Sequence, residues 1–160
     1  MGESEDGKFM RLAIRAARIG IRKGQSPFGA CIVKGGKPLS CVHNGVWQQT
    51  DITAHAEVRA IRNACRRLGR IKLWGCTIYS TCEPCPMCFS AIHWAGIRRI
   101  VFGASIADAQ ACGFSELAIS NREMAALGKS KIKISQGVLR SECASLFREF
   151  SSKNRGKKLY

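Results

Sequence analysis

Apolar residues recur along the chain with two spacings, which predict alternating helices and strands. In residues 8–23 the apolar side chains follow a helical period, and arginines occupy the opposite side. Residues 30–34 and 38–43 have the composition of two paired strands, and Gly35 and Gly36 between them predict a tight turn. The first helix is expected to bury one face, formed by Phe9, Leu12, Ile14, Ala16, Ile19 and Ile21.

Glycine and proline mark the ends of the later elements. Gly69 and Gly96 each follow a helical pattern and suit a helix C-terminus, whereas Pro84 and Pro86 suit the first turn of a helix. The remaining predicted elements are helices at 54–68, 84–95 and 141–151, strands at 76–80, 99–104 and 131–137, and a segment of loop and short helix at 108–124.

The order of these elements predicts the fold class. Strands that alternate with helices favour parallel neighbours covered by helices on both faces. We therefore expect an α/β fold, a three-layer α/β/α sandwich around a mixed sheet of about five strands. The 160 residues suit a single domain over 1–160, and no repeat or linker divides them.

Charge is the most unusual feature of the composition. Lysine and arginine total 26 against 11 acids, a formal net charge of +15, and they concentrate in residues 11–23, 59–72 and 140–158. This charge favours a polyanionic partner such as RNA. Solvated helix faces on a protein kept soluble by its charge explain it equally well. No aromatic-rich basic stretch accompanies the charge along the sequence, so both interpretations stay open.

Hydropathy and cysteine usage predict the cellular compartment. The chain has no apolar run of about 18 residues, the length that a membrane-spanning helix needs. Its polar first residues lack the apolar core of a signal peptide, so a cytoplasmic location is expected. The nine cysteines mostly lie in apolar segments. In a reducing compartment they are expected to be free, buried thiols that pack as small hydrophobic residues.

The stretch STCEPCPMC places Cys82, Cys85 and Cys88 three residues apart. An iron–sulfur cluster would need a fourth cysteine shortly after Cys88, and Ile92 stands there instead. A structural disulfide is disfavoured in a reducing compartment. A catalytic zinc ion needs only three protein ligands, and the first turn of a helix favours the thiolates that zinc requires. Zinc is therefore the metal that the sequence predicts.

A histidine is expected as the third ligand, and the chain has three. His55 begins the helix before the cysteines and has Glu57 two residues later, whereas His43 and His93 have no chemical role that the sequence supports. Two helix starts that meet at a sheet edge would place His55 beside the cysteines. Cys82 is expected to be a packed neighbour, because a fourth protein ligand would block the position that water must occupy.

Several segments together carry a resemblance to a known family. TAHAEV and CEPCPMC match the His-x-Glu and Pro-Cys-x-x-Cys signature of zinc-dependent nucleobase deaminases. Further matching segments are PFGACIVKGG, HNGV, FGASIADAQACGFSE and the ending KKLY. The chain resembles the cytidine-deaminase-like superfamily over nearly its whole length, and within it the bacterial guanine deaminases. The resemblance implies that fold and a zinc-dependent hydrolytic deamination.

The resemblance assigns the centre of the site. His55, Cys85 and Cys88 would bind one Zn²⁺ per chain, with water or hydroxide in the fourth position. Glu57 would take a proton from that water and pass it to a ring nitrogen and then to the leaving amine. The alternative for Glu57 is an ordinary solvated helix glutamate. Ala56 is placed among the substrate-binding residues.

The resemblance also implies four residues around the base. Asn44 would hydrogen-bond the base edge, Phe28 would pack beside it, Glu116 would be a second acid that assists proton transfer, and Tyr160 would close the site. Each has an ordinary alternative: a turn asparagine, a core phenylalanine, a helix-starting acid and part of a disordered basic tail. Guanine deaminases often carry two aspartates where this chain has Ser115 and Glu116.

Quaternary structure is likewise implied by the resemblance. It indicates a homodimer. In one arrangement that the resemblance allows, a C-terminal helix and tail, residues 138–160, pack on the partner subunit. Trp94 lies on the far side of its helix from the cysteines, so we expect it in the core or at a subunit interface.

The sequence allows three functions. The first is deamination of guanine to xanthine and ammonia, with guanosine, cytosine or a small aminotriazine as related substrates. The second is deamination of adenosine to inosine in tRNA; the net charge favours it, but the Gly-Ala-x-Gly-Ser-type stretch usual in those enzymes is absent. The third is a basic nucleic-acid-binding module with structural zinc, which would need four protein ligands. Nucleic acid is therefore a partner that the sequence allows without favouring, and no membrane partner is expected.

Overall fold

A mixed sheet of five strands organises the structure. The structure is a computed structural model, and it describes residues 2–156 and 159–160. The helices are α1 (Glu5–Arg22), α2 (Val46–Gln49), α3 (Ala56–Leu68), α4 (Pro86–Trp94), α5 (Ile106–Ala111), α6 (Asn121–Leu127) and α7 (Arg140–Lys153). The strands are β1 (Gly29–Lys34), β2 (Lys37–His43), β3 (Cys76–Cys82), β4 (Arg99–Ala104) and β5 (Lys133–Ser135).

The strands lie in the order β2-β1-β3-β4-β5. β1 pairs antiparallel with β2 and β3, whereas β3, β4 and β5 run parallel. Gly35 and Gly36 form the hairpin turn with φ angles of 53° and 71°, which residues with a side chain rarely adopt. Parallel neighbours need crossover connections, and these contain α4 between β3 and β4 and α6 between β4 and β5.

Helices cover both faces of the sheet, so the predicted three-layer α/β/α sandwich is confirmed. α1 and α7 pack on one face, and α3, α4 and α6 pack on the other. The first core contains Phe9, Ile14, Tyr79, Leu146 and Phe147. The second core contains Ala60, Ile78, Phe89, Ile92 and Ile100. With both faces covered, an open site can form only at the ends of the strands.

α1 buries the face that its spacing predicts, with one exception. Phe9, Ile14 and Ile21 are buried, but Ile19 is 42% exposed. The small, buried Gly20 faces β2 instead, where a Cβ atom would lie 2.7 Å from the Cβ of His43. In the described part of the chain, no helix is both long enough and apolar enough to cross a membrane.

Most predicted elements are confirmed with shifted boundaries. α3 begins at Ala56 because His55 is its N-cap and has extended backbone angles of −62° and 153°. α4 begins at Pro86 because Cys85 caps it in the same conformation. The sequence does not predict α2, since four residues are too few to show a helical period. The strand predicted at 131–137 is confined to the three residues of β5.

Two cysteines depart from the expected free thiols. Cys31 on β1 and Cys41 on β2 face each other in the antiparallel register and form a disulfide. The prediction is wrong for this pair because the hairpin register, which composition does not show, brings their Cα atoms to 4.0 Å. The other seven cysteines are free, and four of them are buried.

The C-terminal helix belongs to the fold of its own chain. Its residues Leu146, Phe147 and Phe150 are buried against β4 and α1. Arg18 on α1 pairs with Glu149 on α7 at 3.0 Å. The predicted packing on a partner subunit is thus not needed to bury this helix. Residues 157–158 of the KKLY ending lie outside the described part of the chain.

Candidate zinc site and substrate cavity

The three predicted metal ligands meet beside the carboxyl end of β3. His55 caps α3, Cys85 caps α4, and Cys88 lies in the first turn of α4. His55 Nδ1 is 3.7 Å from Cys85 Sγ and 3.6 Å from Cys88 Sγ. All three ligand atoms lie within 4.8 Å of one another, the only such group found among the described residues.

The spacing of these atoms fits a tetrahedral zinc ion. With Zn–N of about 2.1 Å and Zn–S of about 2.3 Å, a tetrahedral angle separates nitrogen from sulfur by about 3.6 Å. The two observed N···S distances, 3.7 and 3.6 Å, agree with this value. Three protein ligands also leave one coordination position open, which is typical of catalytic zinc sites.

The two thiols differ in their protonation. The hydrogen bond from Cys88 is the main reason that the pKa of Cys85 falls to about 4; burial opposes the change, and His55 assists it. The same bond, together with burial, raises the pKa of Cys88 well above its usual range. Burial disfavours protonated His55, but the bond to Cys85 and the charge of Glu57 outweigh it and raise the pKa of His55. The site thus favours the thiolate form of Cys85, which is the form in which a cysteine binds zinc.

Glu57 lies beside the cluster without belonging to the ligand group. It is the second residue of α3 and only 5% exposed, so the solvated alternative does not describe it. Its Oε1 accepts a hydrogen bond from Ser80 Oγ at 2.9 Å, and its Oε2 accepts one from Cys88 Sγ at 3.5 Å. Burial raises the pKa of its carboxyl. Glu57 thus borders the metal cluster and the cavity next to it.

A cavity of about 250 Å³ opens beside the cluster. Its lining combines apolar side chains with a few polar groups, as in most sites for small molecules. The predicted site residues that line it are Phe28, His55, Glu57, Cys85, Glu116 and Tyr160.

Phe28 and Glu116 both line the cavity, in different surroundings. The ring of Phe28 also packs edge to face on Phe114 and Phe147, at 5.0 and 6.0 Å, so it belongs to the core as well. Glu116 lies in the loop between α5 and α6, and the alternative of a helix-starting acid is wrong. Burial raises the pKa of Glu116 to about 6, and the charge of Cys85 adds to the rise.

Asn44 and Ala56 lie behind the cavity wall. Asn44 is 1% exposed, and its Oδ1 accepts a hydrogen bond from Val46 N at 3.1 Å. This bond to the backbone two residues later is typical of a turn asparagine. Its Nδ2 is buried without a hydrogen-bond partner, so a donor remains for a ligand. Ala56 is fully buried in the second core, so its side chain does not line the cavity, and its place among the substrate-binding residues stays a prediction.

Tyr160 covers Asn44 from the cavity side. Its ring lies 6.2 Å from that of His55 and 5.8 Å from that of Trp47. Burial raises the pKa of Tyr160 to about 12, and nearby Ser26 and Asn44 oppose the rise. None of the three side chains is aligned for a regular hydrogen bond with another. Tyr160 therefore lines the cavity of its own chain in this structure, and the exchange of this end with a partner subunit stays a prediction.

Comparison with known proteins identifies the family. The family model for the cytidine and deoxycytidylate deaminase zinc-binding region matches residues 3–104, which contain the whole ligand group. The chain belongs to this family. The predicted family and fold are thereby confirmed, and the protein is a zinc-binding deaminase.

The relatives of this deaminase differ in substrate. Guanine deaminase of Bacillus subtilis is 44% identical over 109 residues, 68% of this chain and 70% of that protein. A tRNA-specific adenosine deaminase of Buchnera aphidicola is 36% identical over 155 residues, 97% of this chain and 99% of that protein. The structure of guanine deaminase from Nitrosomonas europaea matches with a TM-score of 0.84 and 28% identity, covering 95% of this chain and 86% of that one.

Sequence reasoning missed two residues that shape the deaminase cavity. Glu83 accepts hydrogen bonds from the backbone N–H groups of Asn121 at 2.8 Å and Ile106 at 3.3 Å. The fully buried side chain of Asn121 donates to the carbonyl of Pro84 at 2.6 Å. These bonds tie the loop that carries Glu116 to the segment just before the first cysteine ligand. The only signal in the sequence is that Glu83 is an acid within the segment CEPCPMC. That signal does not reveal its distant partners, Ile106 and Asn121.

Asn121→Ala should lower the free energy of unfolding by about 1–3 kcal/mol, because it leaves a buried carbonyl without its donor. Urea unfolding measures the change. Asn63→Ala is the matched control, since Asn63 is exposed on α3, and it should change the free energy by less than about 0.5 kcal/mol. Equal stability of the two variants would contradict the role of Asn121.

Three further residues considered in the sequence, Cys82, His43 and His93, lie outside the ligand group. Cys82 is buried beside the cavity and donates to the carbonyl of Ser105 at 3.5 Å, outside the ligand group, as expected of a packed neighbour. His43 is buried, and its Nδ1 donates to the carbonyl of Asn44 at 2.6 Å; burial lowers its pKa. His93 is exposed in the last turn of α4.

Trp94, the last residue of α4, lies outside the two cores. Its side chain is 74% exposed. The expectation of a core position is therefore wrong, and a place at a subunit interface stays a prediction.

Proposed function

We propose that this deaminase acts on a free purine base and that its substrate is guanine, which it converts with water to xanthine and ammonia. The observation that carries the proposal is the pair of carboxyls, Glu57 and Glu116, in one cavity beside the metal cluster. A free base can lie within a cavity that the chain's own Tyr160 covers, whereas an RNA loop would first have to displace that cover.

Glu57 is the proposed proton carrier. Zinc bound by His55, Cys85 and Cys88 would supply an activated water molecule. Ser80 holds one carboxyl oxygen of Glu57, which leaves the other turned toward the cluster. From there Glu57 would accept the proton of the water and deliver it to a ring nitrogen and then to the leaving amine.

Glu116 would serve the second proton transfer. Hydrolysis forms a C–O bond at the carbon that carries the amino group and breaks its C–N bond, so protons must reach both the ring and ammonia. Glu116 lines the cavity together with Glu57, and its raised pKa of about 6 suits a group that exchanges protons near neutral pH.

Asn44 and Phe28 would orient the base. The free Nδ2 of Asn44 is a buried donor that an acceptor on the purine edge would satisfy. Tyr160 stands in front of this donor, so its side chain would have to rotate locally as the base enters, whereas an RNA loop would require the whole cover to move away. The Phe28 ring supplies an apolar wall against which the base would pack.

Deamination of adenosine in tRNA is the second candidate. It is favoured by the tRNA-specific relative that spans 97% of this chain and by the formal charge of +15. The cover formed by Tyr160 and the second acid Glu116 favour the free base instead. Guanosine, cytosine and a small aminotriazine are further substrates to be compared. The homodimer and the cytoplasmic location stay predictions.

Ammonia release from zinc-loaded protein should distinguish these substrates. We expect guanine to exceed guanosine, adenine, cytosine and an aminotriazine by roughly 10²-fold or more in kcat/KM, because a site that hydrogen-bonds a polar edge discriminates strongly. Unmodified tRNA should give no ammonia. Turnover of tRNA or of another base, with guanine untouched, would replace the proposed substrate while retaining the zinc chemistry.

A further inference from the structure

We propose that Ser26 is a substrate-binding residue, and that its hydroxyl and the side-chain amide of Asn44 together bind the oxo group of a purine base. We call this pair of side chains the oxo subsite. Ser26 lies in the segment between α1 and β1, far in sequence from the zinc ligands. The inference rests on the proposed function, because it names the group of the base that distinguishes guanine from adenine.

Three side chains at this place have polar atoms without regular hydrogen-bond partners. Ser26 and Asn44 are each only 1% exposed. In the described part of the chain, five buried side-chain polar atoms lack a partner, and three of them are Ser26 Oγ, Asn44 Nδ2 and the Tyr160 hydroxyl. A buried polar group without a partner is destabilising, and native proteins leave few of them. Three in one place indicate a site where a ligand supplies the missing partners.

The three side chains lie next to one another behind the cavity wall. Burial raises the pKa of Tyr160 to about 12, and the polar groups of Ser26 and Asn44 oppose that rise, which places both of them close to the Tyr160 hydroxyl. The Tyr160 ring lines the cavity, with its centroid 6.2 Å from that of the His55 ring. The oxo subsite therefore opens to the cavity beside the metal cluster when this one side chain rotates.

The backbone fixes Ser26 and Asn44 relative to each other. The carbonyl of Ser26 accepts a hydrogen bond from Phe28 N at 2.8 Å, and the carbonyl of Phe28 accepts one from Asn44 N at 2.9 Å. Gln25 N donates to the carbonyl of Gly20 in α1 at 2.9 Å, which anchors the start of this segment. The two side chains are thus held in place before a ligand arrives, and a preorganised site loses less entropy on binding.

An oxo group matches the donors that the subsite offers. An amide NH₂ can only donate hydrogen bonds, a hydroxyl can donate one, and a carbonyl oxygen has two lone pairs that can accept both. In the structure, the hydroxyl oxygen of Tyr160 already lies close to Ser26 and Asn44, so the subsite has room for an oxygen atom. The oxo oxygen of the base would take this place once the tyrosine rotates.

The same donors disfavour a base with an amino group at this position. Adenine carries an amino group at C6, where guanine carries its oxo group. An amino group donates hydrogen bonds, so it would leave the buried Nδ2 of Asn44 without an acceptor. A site that is left with an unpaired buried polar group discriminates strongly. The subsite therefore supplies a physical reason for choosing guanine over adenine.

Calorimetric binding of two unreactive bases tests the subsite on the full-length, zinc-loaded protein. Hypoxanthine carries the oxo group and unsubstituted purine lacks it, and neither has an amino group that could be released. We expect Ser26→Ala to weaken hypoxanthine binding roughly 10-fold, the contribution of about one hydrogen bond, and to leave purine binding unchanged. Because neither base is deaminated, the result does not depend on turnover of guanine.

Ser40→Ala is the matched control. Ser40 is also buried, and its hydroxyl also has no partner among the residues that the structure describes. It lies on β2, about 13 Å from Asn44 along an extended strand. The control should bind both bases like the wild type. Each substitution removes a hydroxyl that has no partner, so neither should lower the midpoint of urea unfolding.

Two results would overturn the oxo subsite. One is equal binding of hypoxanthine by the wild type and by Ser26→Ala, including the case in which neither protein binds it. The other is a loss for Ser26→Ala that is equal for both bases, or that accompanies a lower midpoint of unfolding, since Ser26 would then support the fold and not the oxo group.

The subsite and the proposed function can fail separately. If guanine is not deaminated while hypoxanthine binding depends on Ser26, the substrate assignment fails and the subsite stands. If guanine is deaminated and Ser26→Ala binds hypoxanthine like the wild type, only the subsite fails.

Discussion

The Glu57→Gln enzyme should bind zinc like the wild type and deaminate roughly 10²- to 10⁴-fold more slowly, the usual contribution of a positioned acid–base group. Glutamine has the volume of glutamate and can still accept a hydrogen bond from Ser80, so the buried site should keep its shape. It cannot carry the proton that the reaction moves. Zinc content by elemental analysis and initial rates of ammonia release measure the two properties separately.

Glu5→Gln is the matched control for this substitution. Glu5 is exposed in the first turn of α1, so the same chemical change there should leave both zinc content and rate unaltered. An unchanged rate in the Glu57 variant would remove Glu57 from the mechanism. Loss of zinc together with rate would instead show that Glu57 supports the metal site.

Cys88→Ala should lose both bound zinc and deamination to background. Only His55 and Cys85 would remain as ligands, and the loss should exceed the roughly 10- to 100-fold fall in metal affinity that follows removal of an outer-sphere partner. Zinc content after dialysis measures the loss directly. In the wild type, a chelator should abolish ammonia release, and added zinc should restore it.

Cys82→Ala is the control within the same cysteine-rich segment. Cys82 is also buried and borders the same cavity, but its sulfur lies outside the ligand group. The variant should retain full zinc content. If Cys82→Ala lost zinc while Cys88→Ala kept it, the assignment of the ligands from the structure would be wrong.

The sequence by itself determined the layers of the fold and the centre of the site. Helical and strand periods depend on residues a few positions apart, so the sandwich followed from the pattern alone. His55 and the two cysteines were also predictable, because a helix start defines their local geometry and zinc restricts the ligand types.

Only the tertiary structure decided which distant groups meet. The Cys31–Cys41 disulfide depends on the register of a hairpin, and the contacts of Glu83 with the loop before α6 depend on how β3, β4 and α6 pack. Tyr160 reaches His55 across more than one hundred positions of the chain. Such contacts leave no periodic signal, because they arise from the packing of whole elements.

The basic charge also separates what the sequence determined from what the tertiary structure decided. The sequence establishes a net charge of +15 and contains no basic stretch rich in aromatic residues. The fold gathers the starts of three parallel strands with their cations at the same end. Composition sets how much charge the protein carries, whereas the parallel order of the strands sets where that charge lies.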